Sequence, residues 1–117
     1  MSFVRRSSEV EVGRKKMFNG DGEAEMHVLL RGADEMYVKG RVFNHVFLEP
    51  GAEIGYHVHK GDGETYYILK GTGEYSDNGN IVTVCPGDVT YVDDGEGHSL
   101  KNTGDEVLEA IALILYK

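Results

Sequence analysis

With a single cysteine, Cys85, in 117 residues, the chain can close no disulfide within itself, which excludes a cross-linked secreted scaffold. Tryptophan is absent and proline is reduced to two residues, so no proline-rich linker interrupts the chain. Long apolar runs are missing as well. The longest, "AIALILY" at 110–116, falls far short of the roughly 20 residues a membrane helix needs. The N-terminal "MSFVRRSSEVEVGRKK" has no apolar core of signal-peptide length, so the expected location is cytoplasmic. Positive charge is also in deficit. Twelve Lys and Arg against 20 Asp and Glu give a net charge of −8, which disfavours nucleic acid and anionic membrane as partners. The run Arg14-Lys15-Lys16 is too short to reverse that balance.

What the chain does contain is glycine and tyrosine, 16 and seven residues respectively, a composition of short strands joined by tight turns. A hydrophobic content of 40% fits a globular protein with one core, expected as a single domain over residues 1–117. Extended segments are expected at Glu25–Leu30, Gly40–Leu48, Ile54–His59, Thr65–Leu69, Gly73–Ser76, Ile81–Val84, Val89–Val92, His98–Asn102 and Leu108–Tyr116. Turn signals separate them, among them Glu49-Pro50-Gly51, Gly61-Asp62-Gly63 and Pro86-Gly87-Asp88. The stretch "SDNGN" between two short strands marks a hairpin, because Asn and Gly tolerate positive φ. No window carries a 3.6-residue apolar period. The pattern is that of an all-β sandwich or barrel. In the last strand, residues 110–115 are apolar on both faces, so one face lines the interior and the other requires a second sheet or a second subunit.

Chemistry concentrates in "GYHVHKGDGE", residues 55–64. Side chains two apart on a strand share a face about 7 Å apart, so His57 and His59 can aim into one interior. A lone His-x-His is weak evidence for a metal. Glu64 follows a glycine-rich loop able to fold it back, and His98 begins a later strand. Gly51, His57, His59, Glu64 and Gly71 stand at the spacing G-x5-H-x-H-x4-E-x6-G, over residues 51–71. Gly87, Gly95, His98 and Asn102 stand at G-x5-P-x-G-x2-H-x3-N, over residues 87–102, with Asp93 where that pattern has proline. Asp is itself a turn former, so the departure removes no ligand.

These two motifs resemble those of the cupin superfamily, in particular its small single-domain members of the oxalate-decarboxylase-like kind. The resemblance implies a double-stranded β-helix, the jelly-roll or cupin barrel, with one divalent transition metal per chain held by His57, His59, Glu64 and His98. Three imidazoles and a carboxylate suit Mn, Fe, Co, Ni or Zn without choosing among them. Comparison with small cupins also directs Val42, Asn44, Val46 and Leu48 inward and His45 outward. It places Ile54 over the metal and Ala110, Ala112 and Ile114 on the inner face of the last strand. Asn44, Val46, Ile54, Ala110 and Ala112 are then the expected substrate pocket, roomy and mostly apolar.

Tyr66 shares the strand parity of Glu64 and should face the cavity. It is the candidate catalytic residue, orienting substrate or donating a proton; the alternative is a wall residue. Tyr67 faces away. His27 and His45 are read as surface or interface histidines, and Cys85 as an inert thiol.

The expected function is a metal-dependent enzyme on a small oxygen-chelating organic substrate, a dioxygenase, decarboxylase, lyase or isomerase. The alternative is a non-catalytic metal-containing sensor or small-ligand carrier. Oxalate-processing cupins carry an arginine three residues before the first metal histidine, where this chain has Ile54, which argues against oxalate chemistry. The two-faced apolar last strand and the resemblance together imply a homodimer, with Met1–Arg6 as a strand exchanged onto the partner.

Overall fold

A computed structural model describes residues 1–117. Ten strands follow one another: β1 (Glu11–Lys15), β2 (Ala24–Leu30), β3 (Gly40–Leu48), β4 (Glu53–Val58), β5 (Asp62–Lys70), β6 (Gly73–Asp77), β7 (Asn80–Val84), β8 (Val89–Val92), β9 (Gly97–Asn102) and β10 (Leu108–Tyr116). They form a six-stranded sheet in the order β1-β2-β3-β10-β5-β8 and a four-stranded sheet in the order β4-β9-β6-β7. All named pairings are antiparallel. This is the double-stranded β-helix that the sequence motifs imply. Helical structure is confined to two 3-10 turns, Ser7–Glu9 and Ala33–Met36, and no helix is long and apolar enough to cross a membrane.

The strands lie where alternation and turn residues put them, within a residue or two at each end, except β5, which begins three residues earlier than Thr65, and β1. Its residues, EVGRK, are exposed throughout and pair only with β2. An edge strand with no buried face carries no apolar period, so nothing in its composition announced it. The Asn78-Gly79 turn joins β6 to β7 with both residues at positive φ, 51° and 96°. That is the backbone whose twist matches a tight hairpin.

Inward side chains of both sheets meet in one core, which includes Leu48, Ile68, Leu100, Leu108 and Ala110, all without exposed surface. Bulges break the strict two-residue alternation where the interior changes character. Between β4 and β9, Ile54 pairs with Leu100 and His57 with His98, so three steps on β4 oppose two on β9. The extra residue lets Ile54 and His57 face the same interior although they are an odd number of positions apart.

The outer face of the large sheet is less covered. Ile111 and Leu113 of β10 are half-buried, and beside them on β5 lie exposed Tyr67 and Leu69. His27 and His45 sit opposite each other on this face, hydrogen-bonded to Glu25 at 2.8 Å and Glu109 at 2.9 Å. Residues Met1–Arg6 belong to no strand. Arg5 ties the segment to its own chain, donating to both carboxylate oxygens of Glu35 at 2.9 and 2.8 Å and to the Leu29 carbonyl at 2.8 Å.

Candidate metal centre

Strands of both sheets bring the four expected ligands together. His57 lies near the end of β4 and His59 just beyond it. Gly61, at φ 79°, turns the chain back so that Glu64 enters on β5, and His98 enters on β9. Their ligating atoms all lie within 4.8 Å of one another. His98 Nε2 is 3.1 Å from His57 Nε2, 3.2 Å from His59 Nε2 and 3.0 Å from Glu64 Oε1. His59 and Glu64 are buried, and His98 has no exposed surface.

The other nitrogen of each ring explains why these atoms face inward. His57 Nδ1 lies 2.8 Å from the Gly55 carbonyl, and His59 Nδ1 lies 2.7 Å from Asp62 Oδ1. Both partners are pure acceptors, so each Nδ1 carries the hydrogen and each neutral ring presents a bare Nε2 lone pair. His98 Nδ1 lies 2.8 Å from the Tyr75 hydroxyl, which can accept in the same way. Three ring lone pairs and a carboxylate oxygen converging this closely repel one another unless a proton or a cation lies between them. The donor set therefore fits a divalent metal, and its partners are those that orient ligating histidines.

Electrostatics agree. Burial pushes the Glu64 carboxyl up, but hydrogen bonds from His57, His59 and His98 outweigh it and hold the group well below the usual carboxylate range. The hydrogen bond to Glu64, opposed by burial and aided by Asp62, raises His59. Burial lowers His98 despite Glu64. Glu64 is thus an anion at neutral pH, and His98 is a neutral base.

Above the ligands opens a cavity of about 510 Å³. Asn44, Val46, Ile54, Tyr66 and Ala112 line it, together with His57, His59 and Glu64. Ala110 does not: it has no exposed surface and packs in the core below. Tyr66, 2% exposed, stacks on the His98 ring with centroids 5.0 Å apart and planes 10° from parallel. Burial raises its hydroxyl well above the usual tyrosine value, so it is a donor and not a base. Asn44 spends its amide only on the Met26 sulfur, at 3.7 Å. Tyr67 faces outward, and Cys85 is an exposed free thiol.

Four residues at this site were not singled out from the sequence. Asp62 orients His59, and its position three residues on, in a tight turn, was the available signal. Tyr75 orients His98 from β6, and burial pushes its hydroxyl up to about 12. Phe18 stacks on His57 with centroids 3.9 Å apart and planes 12° from parallel. It sits in a turn where both Phe18 and Asn19 adopt left-handed φ, 51° and 60°. That turn presses on β4 at Gly55, where a Cβ would collide with the Phe18 carbonyl oxygen. Only a glycine admits that approach. Arg41 reaches the cavity mouth, against the parity of its strand.

Comparison with known proteins follows the same lines. A family model described as "Cupin domain" (Cupin_2) matches residues 44–114. The "Oxalate-binding protein" of Thermotoga maritima is 45% identical over 114 residues, covering 97% of this chain and 93% of that one. A crystal structure from Thermotoga maritima, described as a predicted oxalate decarboxylase, superposes with a TM-score of 0.92 at 44% identity, covering 98% of this chain and all of that one. A Klebsiella pneumoniae protein described as uncharacterized, with a double-stranded β-helix domain, gives 0.70 at 26% identity over 82% of this chain and 75% of its own.

Proposed function

The chain belongs to the cupin family, and on that premise we propose that it is a metal-dependent enzyme acting on a small organic substrate that chelates through two oxygens. His57, His59, Glu64 and His98 hold one divalent transition metal, of the group Mn, Fe, Co, Ni and Zn. The observation that carries this reading is the convergence of three Nε2 atoms and a carboxylate oxygen whose outer partners leave the lone pairs free. Bound there, such an ion supplies Lewis acidity and open positions for two ligand oxygens.

The protein's own groups do the rest. Val46, Ile54 and Ala112 form a dry wall for the apolar part of the substrate. Tyr66 keeps its proton and donates a hydrogen bond to a substrate oxygen on which negative charge develops. Asn44 turns its amide from the weak sulfur acceptor to the substrate. Glu64 is not the general base, because metal ligation occupies its oxygens and lowers its basicity.

A second reading is a non-catalytic binding or sensor protein that holds such a ligand without transforming it. Its support is the name of the Thermotoga maritima relative, which speaks of binding. Ile54, in place of the arginine of oxalate-processing cupins, also weighs against turnover of oxalate. The two readings separate in one experiment: a panel of two-oxygen chelators is offered to the Mn, Fe, Ni and Zn forms, with turnover and thermal shift both recorded. Turnover lost in Tyr66→Phe at unchanged metal content supports the enzyme. Stabilisation without turnover supports the carrier. If no chelator does either, the metal is structural.

The apolar outer face around Ile111, Leu113, Tyr67 and Leu69 supports a homodimer through the large sheet, and in a dimer that exchanges Met1–Arg6 the Arg5–Glu35 pair forms between chains instead of within one. A monomer by light scattering at micromolar concentration removes this claim. The negative charge weighs against nucleic acid and anionic membrane as partners, and the location proposed is cytoplasmic.

A further inference from the structure

Charge at the cavity mouth runs opposite to charge over the chain. The chain carries −8, yet Lys15, Arg41 and Lys60 all line the opening. The only acidic groups there, Asp62 and Glu64, are already engaged by His59, Arg41 and the ligand cluster.

Arg41 is placed by a bulge. Across β3 and β10, Val42 pairs with Ile114 and Gly40 with Leu115, which leaves Arg41 with no residue opposite. Simple alternation from the inward Val42 would send Arg41 to the outer face, and the bulge re-aims it at the mouth. Gly40 makes room for this. A Cβ there would stand 2.6 Å from the Ile114 carbonyl oxygen and 2.7 Å from Met36 Cε.

The side chain is held but not used up. Arg41 Nε donates to Asp62 Oδ2 at 2.9 Å, and Asp62 Oδ1 accepts from His59 at 2.7 Å. The guanidinium is thus tethered one carboxylate and one imidazole ring from the metal position. Its two terminal amino groups make no hydrogen bond within the protein, and Lys15 and Lys60 are likewise unpaired. A planar fork with two free donors at the mouth of an apolar cavity is built to receive a carboxylate.

We propose that Arg41 anchors a carboxylate at the far end of the ligand, so that the ligand is a small acid with two functional ends. One end, a 2-oxo or 2-hydroxy acid head, chelates the metal; the other carries the second carboxylate to Arg41. The proposal rests on the chelation reading above. Oxalate, whose two carboxylates are both consumed in chelation, does not reach Arg41 and serves as the internal control.

The test uses the full chain loaded with one equivalent of Mn(II), titrated calorimetrically with 2-oxoglutarate, 2-oxopentanoate and oxalate. The first two share head and chain length and differ in the charge of the tail. Wild type should bind 2-oxoglutarate about tenfold more tightly than 2-oxopentanoate, the usual scale for a charge-assisted bond. Arg41→Gln should bind the two equally, and Arg41→Lys should keep a reduced preference, having charge without the fork. Oxalate affinity should be the same in all three proteins. Equal binding of the two oxo acids by wild type, or a preference that survives Arg41→Gln, overturns the anchor while leaving chelation intact. If the Mn(II)-loaded protein binds none of the three acids, chelation itself fails and the anchor with it.

Discussion

Along β10 the barrel passes from solid to hollow within a few residues. Leu108 and Ala110 join Leu48, Ile68 and Leu100, none with exposed surface, and apart from Asn102, whose amide donates to the Leu48 carbonyl at 2.8 Å, that end is filled by apolar side chains. Ala112 and Ile114, further along the same face, line the cavity beside Glu64, His57 and His59. Both ends are built from the same inward alternation. The difference is the size and polarity of what alternation delivers. The filled end takes its stability from burial and has no titratable group. The hollow end spends buried space on histidines and a carboxylate, which a proton or a bound cation reconciles.

Breaking the hollow end should have the largest effect on the metal. His59→Ala removes one donor and leaves Asp62 paired with Arg41 alone. Elemental analysis should find about one metal per chain in wild type and almost none in the variant. Added metal should raise the melting temperature of the former only. Equal metal content in both would dissolve the distinction between the two ends.

At the filled end, Ile68→Ala should cost about 3 kcal/mol in denaturant unfolding, as a buried aliphatic truncation does. Metal content should be unchanged, since Ile68 touches the core and not the ligands. Loss of metal in a folded Ile68→Ala protein would mean that the two ends are one cooperative structure.

A gentler cut tests the outer partner of a ligand. Tyr75→Phe keeps the ring and removes the acceptor on His98 Nδ1, so metal affinity should fall about tenfold with stoichiometry preserved. An unchanged affinity would leave Tyr75 a packing residue.

Acid separates the ends most finely. Without metal, His59 titrates above its ordinary value because of Glu64. The stability of that ion pair is fully present below the unfolded histidine value of about 6.5 and is lost as pH rises through the raised one. Metal requires the neutral ring, so metal affinity should fall as pH drops below the raised value, with proton uptake on metal release measurable by calorimetry in buffers of different ionisation enthalpy. Ile68→Ala should shift stability equally across that range, because its surroundings do not ionise.

Much of this was legible beforehand. The spacing of His57, His59, Glu64 and His98 marks the candidate ligand cluster, and alternation with the glycine and Asn-Gly turns marks nine of the ten strands. Strand parity placed Tyr66 beside Glu64. The same rule failed wherever a bulge intervened. Parity would have sent Arg41 outward and left Ile54 ambiguous relative to His57, because an extra residue opposite a partner strand leaves no mark in one strand's own sequence. Ala110 was expected at the pocket and instead lies beneath it, since depth along a face is set by packing and not by alternation.

With the jelly roll, the ligand roles and the inward faces implied by the resemblance of two motifs to cupins, residue types and spacings by themselves determined the all-β class, the turns and the candidate ligand cluster. These depend on period, turn chemistry and donor type, which are local properties of a chain. Only the tertiary structure decided that Asp62, Gly55 and Tyr75 hold the three imidazoles, that Phe18 caps His57, and that Arg41 turns to the mouth. Each is a meeting of segments distant in sequence or a break in register, and both are settled when strands pair and fill a shared interior.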